Sequence, residues 1–229
     1  MPIKNTNPFV DVSSQLRSER NPFVDKFKAG SFKGYSATIK NEALESHFGK
    51  WLQVNILTQR LFVEIGCHYG QVLVDIAKDH NDTLVLGLEI TFKRLVKTAD
   101  RIVSANLTNA HVILANAKAM PKIFGDQEIT GVILFFPDPW PKEKQKRHRL
   151  LQTEFAKILW KCLAPGGFIW LKTDSKDYFD EASKSLHRCG FVLNYNERPA
   201  LFDKDYESSF QKLFGSQGRA YYMLTAIKP

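Results

Sequence analysis

From Arg60 onward, the sequence alternates short apolar runs with amphipathic stretches, and this alternation restricts the folds open to the chain. Strands that alternate with helices form a mostly parallel sheet with helices on both faces. We therefore predict an α/β fold. The apolar runs predict strands over residues 61–65, 84–89, 111–114, 132–136 and 168–172. The intervening stretches have apolar residues at helical spacing and predict helices over 71–78, 91–104 and 150–162.

The remaining segments complete the predicted domain. A helix over 178–189 and strands over 191–194 and 220–226 give seven strands in total, and the Pro-Gly-Gly sequence at 165–167 ends the third helix. Residues 1–57 are polar and mixed, so we expect a partly flexible N-terminal arm there and one domain over 58–229. A hydrophobic content of 44% is enough for a substantial core.

Composition limits the partners and the compartment. The net charge of +8 favours an anionic partner such as nucleic acid. The three cysteines are widely spaced and form no metal-ligand motif, so we expect reduced thiols and no metal. Because neither a signal peptide nor an apolar run of membrane-spanning length is present, we expect a soluble, cytoplasmic protein. Whether it is a monomer or a homodimer stays open.

A carboxylate lies between two prolines directly after the fourth predicted strand. Pro137 and Pro139 fix their own φ angles and favour extended geometry in the preceding residues, so Asp138 is predicted in a pre-organised turn. Trp140 adds an aromatic face that either stacks on a base or packs the turn. The basic run from Lys142 to Arg149, which includes Arg147, can bind phosphates. The alternative is an ordinary solvated charged loop. We favour a functional site because the two prolines and the tryptophan accompany the charges.

The loop after the first strand has the strand-turn-helix arrangement in which α/β sheets bind nucleotide-like ligands. It contains Gly66 and Gly70 but lacks the three glycines of a dinucleotide fingerprint, which favours S-adenosylmethionine. Glu89 ends the second strand, where such folds place the acid that accepts hydrogen bonds from ribose hydroxyls. Glu64 lies within an apolar strand and is expected to face the crevice. Surface charge at strand ends is the alternative for each glutamate.

These residues resemble the tRNA (guanine-N7)-methyltransferase family. The Pro-Asp-Pro-Trp element is highly specific, whereas many methyltransferases share the glycine loop. The resemblance implies a Rossmann-like class I methyltransferase fold, S-adenosylmethionine as donor, and methylation of guanine N7 in the variable loop of tRNA. It rests on Glu64-Ile65-Gly66, Gly87-Leu88-Glu89-Ile90, Phe136 to Lys142 with its basic tail, and Thr173-Asp174 after Pro165-Gly166-Gly167.

The same resemblance assigns roles to residues. Glu64, Glu89 and Asn116 occupy cofactor-binding positions, and Asp138 occupies a position that is both cofactor-binding and catalytic. Residues at substrate-binding positions are Lys142, Asp174, Ser208, Ser209, Phe210 and Gln211.

The sequence departs from the family pattern at three places. His68 stands where the family usually has a second glycine, so this residue must avoid positive φ or accept strain, and it is predicted to narrow the cofactor pocket. Asn116 replaces an aspartate, which predicts weaker cofactor binding. The segment Ser208-Ser209-Phe210-Gln211 replaces threonine, lysine, phenylalanine and glutamate, so it keeps the aromatic ring and loses two charges.

Two other functions remain open from the sequence. One is a methyltransferase for a small acceptor, which the basic run disfavours. The other is an RNA-binding homologue that has lost catalysis, which His68, Asn116 and the altered segment 208–211 suggest. We favour the active tRNA enzyme because four acids of the family pattern are all present, namely Glu64, Glu89, Asp138 and Asp174.

Overall fold

The structure is a computed structural model that describes residues 48–53 and 58–229. Within these ranges, seven strands form one sheet flanked by helices. The strands are β1 Arg60–Ile65, β2 Thr83–Glu89, β3 Ala110–Leu114, β4 Ile129–Phe135, β5 Leu163–Thr173, β6 Val192–Tyr195 and β7 Tyr222–Ile227. The helices are α1 Gln71–Asp79, α2 Phe92–Ser104, α3 Met120–Ile123, α4 Thr153–Cys162, α5 Lys176–Arg188 and α6 Ser209–Ser216. Short 3₁₀ turns cover Trp51–Gln53, Ala117–Ala119 and Glu143–His148.

The strand order is β3-β2-β1-β4-β5-β7-β6. Strands β1 to β5 are parallel, and β7 runs antiparallel to both β5 and β6. The carboxyl ends of the parallel strands therefore meet at one edge of the sheet. The order reverses between β1 and β4, and a crevice at this switch point is where open α/β sheets bind ligands. The predicted seven-stranded, mostly parallel sheet is confirmed.

The side chains of β1 alternate between two hydrophobic clusters, one on each face of the sheet. Leu61 and Val63 pack in the cluster that contains the buried residues of α4 and α5. Phe62 packs in the cluster that contains α1 and α2. Because successive strand residues point to opposite faces, Glu64 shares the α1 face with Phe62. This register places a carboxylate between the sheet and the first turn of α1.

Several predicted boundaries are wrong by a few residues. The helix predicted from residue 150 begins at Thr153, because Gln152 is extended and precedes the first turn. The strand predicted from residue 168 begins at Leu163, which pairs with Ile129 before a register shift. The Pro-Gly-Gly sequence thus forms an irregular strand entry, in which the Gly166 amide donates to the Lys228 carbonyl over 2.8 Å.

The predicted N-terminal arm, residues 1–57, lies almost entirely outside the described residues. The short stretch at 48–53 places Trp51 in the core, where its indole Nε1 donates to the Ile123 carbonyl over 2.8 Å. In the described part of the chain, no helix combines the length and the apolar character that crossing a membrane requires.

Candidate active site

The loop between β1 and α1 turns on two glycines with different surroundings. Gly66 has φ 71°, and a Cβ atom placed there would meet nothing within 4 Å, so its backbone borders open space. Gly70 has φ 69°, and a Cβ atom there would lie 2.5 Å from Cγ2 of Thr98. At both positions the backbone has a positive φ, which glycine adopts without the strain that a side chain would cause. Gly66 borders the crevice, whereas Gly70 packs against α2.

His68 completes this loop in a left-handed conformation. Its φ is 53°, so the residue accepts the strain that a side chain incurs there. Its amide donates to Oε2 of Glu89 over 3.1 Å, and its carbonyl accepts from the Thr98 hydroxyl over 2.9 Å. Its imidazole lies 5.2 Å, centroid to centroid, from the ring of Phe210. Burial, with the charge of Arg94 adding to it, lowers the pKa of His68.

Glu89 is held at the carboxyl end of β2 by backbone amides. Its Oε1 accepts from the amides of Ile90 and Thr91, both over 2.9 Å, and its Oε2 accepts from the His68 amide. The side chain is buried, and this burial raises its pKa, although the Arg94 guanidinium at 3.9 Å acts in the opposite direction. The amides leave carboxylate lone pairs available to a hydroxyl-bearing ligand.

Glu64 is the least satisfied polar group of the site. The Leu73 backbone amide donates to its carboxyl group, but its Oε2 accepts no hydrogen bond from any described residue. Burial, with the charge of the nearby Glu89 acting in the same direction, raises the pKa of Glu64 from 4.5 to about 8. A buried carboxyl oxygen without a donor is costly, and a cationic or hydrogen-donating ligand would remove that cost.

Asn116 follows β3 by two residues and lies at the same edge of the sheet. Its Oδ1 accepts from the Lys118 amide over 2.9 Å and so caps the turn at Ala117–Ala119. The side chain is exposed. This oxygen has a second lone pair that is available to a hydrogen-bond donor.

Asp138 sits in a turn whose backbone is strained at both ends. Phe136 and Trp140 have φ values of 51° and 42°, which bulky residues rarely adopt. A residue in such a strained backbone conformation destabilises the folded state by on the order of 1–3 kcal/mol, and the conformation persists only where the surrounding structure holds it. Between them, Asp138 is exposed towards the crevice. The prediction that Asp138 lies in a non-helical segment is confirmed.

A cavity of about 280 Å³ lies at the carboxyl edge of the sheet. It brings together carboxylates from three different strand ends, namely Glu64, Glu89 and Asp138. The predicted site residues that line it are Glu64, Gly66, Glu89, Asn116, Asp138, Trp140, Ser208, Ser209 and Phe210. The predicted residues outside its lining are Gly70, Lys142, Arg147, Asp174 and Gln211.

Helix α6 contributes one wall of the cavity and was not predicted from the sequence. Phe210 lies in its first turn, and Ser208 caps it by accepting from the Gln211 amide over 3.1 Å. Gln211 points into the protein, where its Oε1 accepts from Nζ of Lys172 over 3.0 Å. Lys172 is fully buried, pairs with Asp205 and also donates to the Tyr206 carbonyl. Gln211 and Lys172 therefore anchor the segment that carries Ser208, Ser209 and Phe210.

The predicted basic patch contains exposed side chains and side chains that are already paired with other residues of the protein. Lys142, Lys144 and Arg147 are exposed and available to phosphates. Lys146 is paired with Glu143 over 2.8 Å. Arg149 is 2% exposed, so its inclusion among the phosphate-binding cations is wrong. Nothing in this mostly basic stretch of sequence distinguishes an inward-facing arginine from its neighbours.

Asp174 follows β5 and is mostly buried, with 19% of its side chain exposed. Its Oδ2 lies 3.9 Å from a guanidinium nitrogen of Arg219. Trp140 lines the cavity, and its ring centroid lies 5.4 Å from that of His148. His148 also lines the cavity, a position that the sequence analysis did not identify.

Comparison with known proteins places the chain in a family. A family model described as a putative methyltransferase matches residues 58–222. A tRNA (guanine-N(7)-)-methyltransferase of Geobacillus kaustophilus is 31% identical over 188 residues, which cover 81% of this chain and 87% of the relative. The chain belongs to the tRNA (guanine-N7)-methyltransferase family. Another tRNA (guanine-N(7)-)-methyltransferase, from Bdellovibrio bacteriovorus, is 33% identical over 69% of this chain and 78% of the relative.

Solved structures of other methyltransferases share the fold of this tRNA (guanine-N7)-methyltransferase family member. An aminoglycoside resistance methyltransferase has a TM-score of 0.58 at 18% identity and covers 84% of this chain and 95% of its own. A 16S rRNA (adenine(1408)-N(1))-methyltransferase from Catenulisporales acidiphilia, solved with its cosubstrate SAM, has a TM-score of 0.57 at 15% identity, with 83% and 92% coverage. The class I methyltransferase fold predicted from the sequence is confirmed.

Proposed function

We propose that this chain transfers a methyl group from S-adenosylmethionine to N7 of a guanine in the variable loop of tRNA. The observation that carries the proposal is the position of Asp138, which lines the same cavity as Glu64 and Glu89 at the switch point of the sheet. An acid on the acceptor side of a donor pocket suits the transfer of a methyl group to a base that becomes positively charged. Membership of the tRNA (guanine-N7)-methyltransferase family supports the substrate.

The residues of the cavity fit S-adenosylmethionine. Glu64, whose buried Oε2 has no hydrogen-bond partner among residues 48–53 and 58–229, complements a cationic ammonium group. Glu89 lies at the strand end that typically binds ribose hydroxyls, and Asn116 presents an amide oxygen suited to an adenine amino group. When bound, S-adenosylmethionine supplies an electrophilic sulfonium methyl group. The space beside Gly66 allows the ligand to approach the backbone closely.

Catalysis at guanine N7 depends on positioning and charge. This nitrogen has a lone pair and no proton, so the chain needs no general base for the attack. The purine gains positive charge as the bond to carbon forms, and Asp138 stabilises that charge electrostatically. The strained turn holds Asp138 in place before the substrate arrives, so little reorganisation is needed at the moment of transfer.

Recognition of the RNA is assigned to residues around the cavity. Lys142, Lys144 and Arg147 bind phosphates, and the resulting affinity offsets the cost of extruding the base. Asp174 accepts from N1–H and N2–H of guanine and so disfavours adenine, whose N1 is an acceptor. Such paired contacts discriminate by about 1–3 kcal/mol. Trp140 lines the cavity and either stacks on the base or packs the turn.

The test is methyl transfer to an unmodified tRNA transcript, with the product base identified by mass. Asp138→Asn retains the size of the side chain and should lower kcat about 100-fold, because it removes a charge aimed at the transition state. Asp126→Asn is the matched control, since Asp126 precedes β4 at the opposite edge of the sheet and pairs with Lys161 over 3.4 Å. Near-normal turnover in folded Asp138→Asn would remove Asp138 from the mechanism.

The acceptor atom has its own control. A transcript that carries 7-deazaguanine at the methylated position has carbon in place of N7 and should accept no methyl group, while its binding is retained. Methylation of this transcript would place the reaction at another atom. Tight binding of tRNA by the wild-type chain without S-adenosylmethionine binding or turnover would instead indicate an RNA-binding homologue without catalysis.

A further inference from the structure

Arg149 is a buried guanidinium that joins the Asp138 turn to helix α5. Its Nε donates to the Pro139 carbonyl over 2.8 Å, and its Nη2 lies 3.4 Å from the Trp140 carbonyl. The same guanidinium binds Asp177 over 2.6 Å and pairs with Glu181. Two acceptors therefore belong to the turn, and two belong to α5. Arg149 itself does not line the cavity.

The turn depends on such external bonds. Prolines at 137, 139 and 141 have no amide hydrogen, so the turn forms few backbone hydrogen bonds of its own. At its start, the Phe136 amide donates to the Lys172 carbonyl over 2.7 Å. At its end, the carbonyls of Pro139 and Trp140 are held by Arg149. The strained φ of Trp140 persists because this second anchor holds it.

The other side of Arg149 is fixed on the helix that follows Asp174. Helix α5 begins at Lys176, only two residues after Asp174. The chain next to Arg149 is bound to the same helix, since the Leu151 amide donates to the Tyr178 hydroxyl over 3.1 Å. Arg149 thus connects the turn that carries Asp138 with the helix that starts beside Asp174.

We infer that Arg149 is a positioning residue that sets Asp138 in the cavity relative to Asp174. The inference rests on the proposed function, because its catalytic consequence is read through methyl transfer. A planar guanidinium directs several N–H groups at once in a fixed arrangement, which suits four acceptors from two elements. A lysine retains the charge at Arg149 but lacks this arrangement.

The experiment compares Arg149→Lys with the wild-type chain. A displacement of about 1 Å in a catalytic group costs up to about 100-fold in rate, so we expect kcat to fall about 10- to 100-fold. The Kd for S-adenosylmethionine should rise by a smaller factor than kcat falls, because Glu64 and Glu89 lie on β1 and β2 and the Glu89 carboxylate is held by backbone amides. An unchanged kcat would overturn the inference.

Lys228→Met is the matched control. Lys228 is also a buried cation that donates to two backbone carbonyls, those of Trp160 and Leu163, both over 2.8 Å. It follows β7 at the opposite edge of the sheet from the cavity. This variant should lower the melting temperature and leave kcat within about twofold, since distant sites act independently. An equal loss of kcat in Lys228→Met would mean that any buried defect produces the effect, which overturns the inference.

A double-mutant cycle identifies the residue through which Arg149 acts. In the Asp138→Asn background, Arg149→Lys should lower kcat by no more than about twofold, because the group that it positions has already lost its charge. If the double variant instead loses kcat by the product of the two separate effects, Arg149 acts through a residue other than Asp138, and the proposal is overturned. Should Arg149→Lys fail to fold, Asp177→Asn weakens the same link at a carboxylate that is 60% exposed, and it should give the same pattern with a smaller loss.

Hydrogen exchange separates this inference from the proposed function. Amide exchange over residues 136–148 should be faster in Arg149→Lys than in the wild type and unchanged in Lys228→Met. Unchanged exchange in Arg149→Lys would show that the guanidinium does not hold the turn. Absence of tRNA methylation by the wild-type chain would instead refute the proposed function, whereas the exchange result would still test the role of Arg149 in holding the turn.

Discussion

Replacement of Glu64 by glutamine should make the free protein more stable, and the gain should depend on pH. Burial raises the pKa of Glu64 from 4.5 to about 8, so the folded chain retains a proton that the unfolded chain loses over this interval. The unfolded state then binds fewer protons, and the free energy of unfolding falls as pH rises from 4.5 to 8. The stability that protonated Glu64 contributes is complete below pH 4.5 and is lost as pH rises through 8. Glutamine does not titrate and avoids this loss.

The magnitude follows from the two pKa values of Glu64. One pKa unit corresponds to about 1.4 kcal/mol, so ionisation in the unfolded state lowers the free energy of unfolding by about 2 kcal/mol at pH 6 and about 4 kcal/mol at pH 8. The difference between Glu64→Gln and the wild type should therefore grow by about 2 kcal/mol between these pH values. Any packing or hydrogen-bonding change that glutamine introduces is independent of pH and drops out of this comparison.

Urea unfolding of both proteins at pH 6, 7 and 8 measures this difference. Glu154→Gln is the control, because the Glu154 carboxylate is on the surface of α4 and 83% exposed. A stability difference between Glu64→Gln and the wild type that stays constant from pH 6 to 8 would refute the raised pKa. The same substitution should weaken S-adenosylmethionine binding, since it removes the carboxylate assigned to the ligand's ammonium group. Glu64 would then be a residue that costs stability and contributes to binding.

Two further outcomes follow from the site. Lys144→Ser combined with Arg147→Ser should reduce the slope of log K for tRNA against log salt by about 1 to 2, while Lys78→Ser, at the far end of α1, should leave the slope unchanged; an equal slope in all three proteins would exclude a phosphate role. Gly70→Ala should lower the free energy of unfolding by about 2–4 kcal/mol in urea titrations, because it combines positive φ with a clash against Thr98; wild-type stability would contradict this packing argument.

The sequence predicts the sheet well because its signal is local. Each parallel strand contains a short apolar run, and the glycine loop and the prolines around Asp138 constrain the backbone over a few residues. The acids Glu64, Glu89 and Asp138 could therefore be placed at strand ends, and parallel strands bring those ends to one edge. The structure then brings all three to one cavity.

The remaining features depend on contacts between distant parts of the chain. Arg149 resembles its basic neighbours until Asp177 and Glu181, which lie 28 and 32 residues later, are placed beside it. Gln211 is predicted to bind substrate, yet its side chain binds Lys172, 39 residues earlier. Helix α6, Ser209–Ser216, buries only Gln211, so its place in the fold depends on the contact of that side chain with Lys172.

The position of β7 bears on how the protein is assembled during synthesis. This strand is the last in the chain, yet it lies between β5 and β6 in the sheet. As the chain leaves the ribosome, β6 has no neighbouring strand until β7 emerges. A nascent chain that ends shortly before Tyr222 therefore lacks both β7 and the sheet pairing of β6, and Thr173, next to Asp174, lacks its antiparallel partner Tyr222. The end of β5 beside Asp174 is therefore paired with β7 only after residues 222–227 have been synthesised.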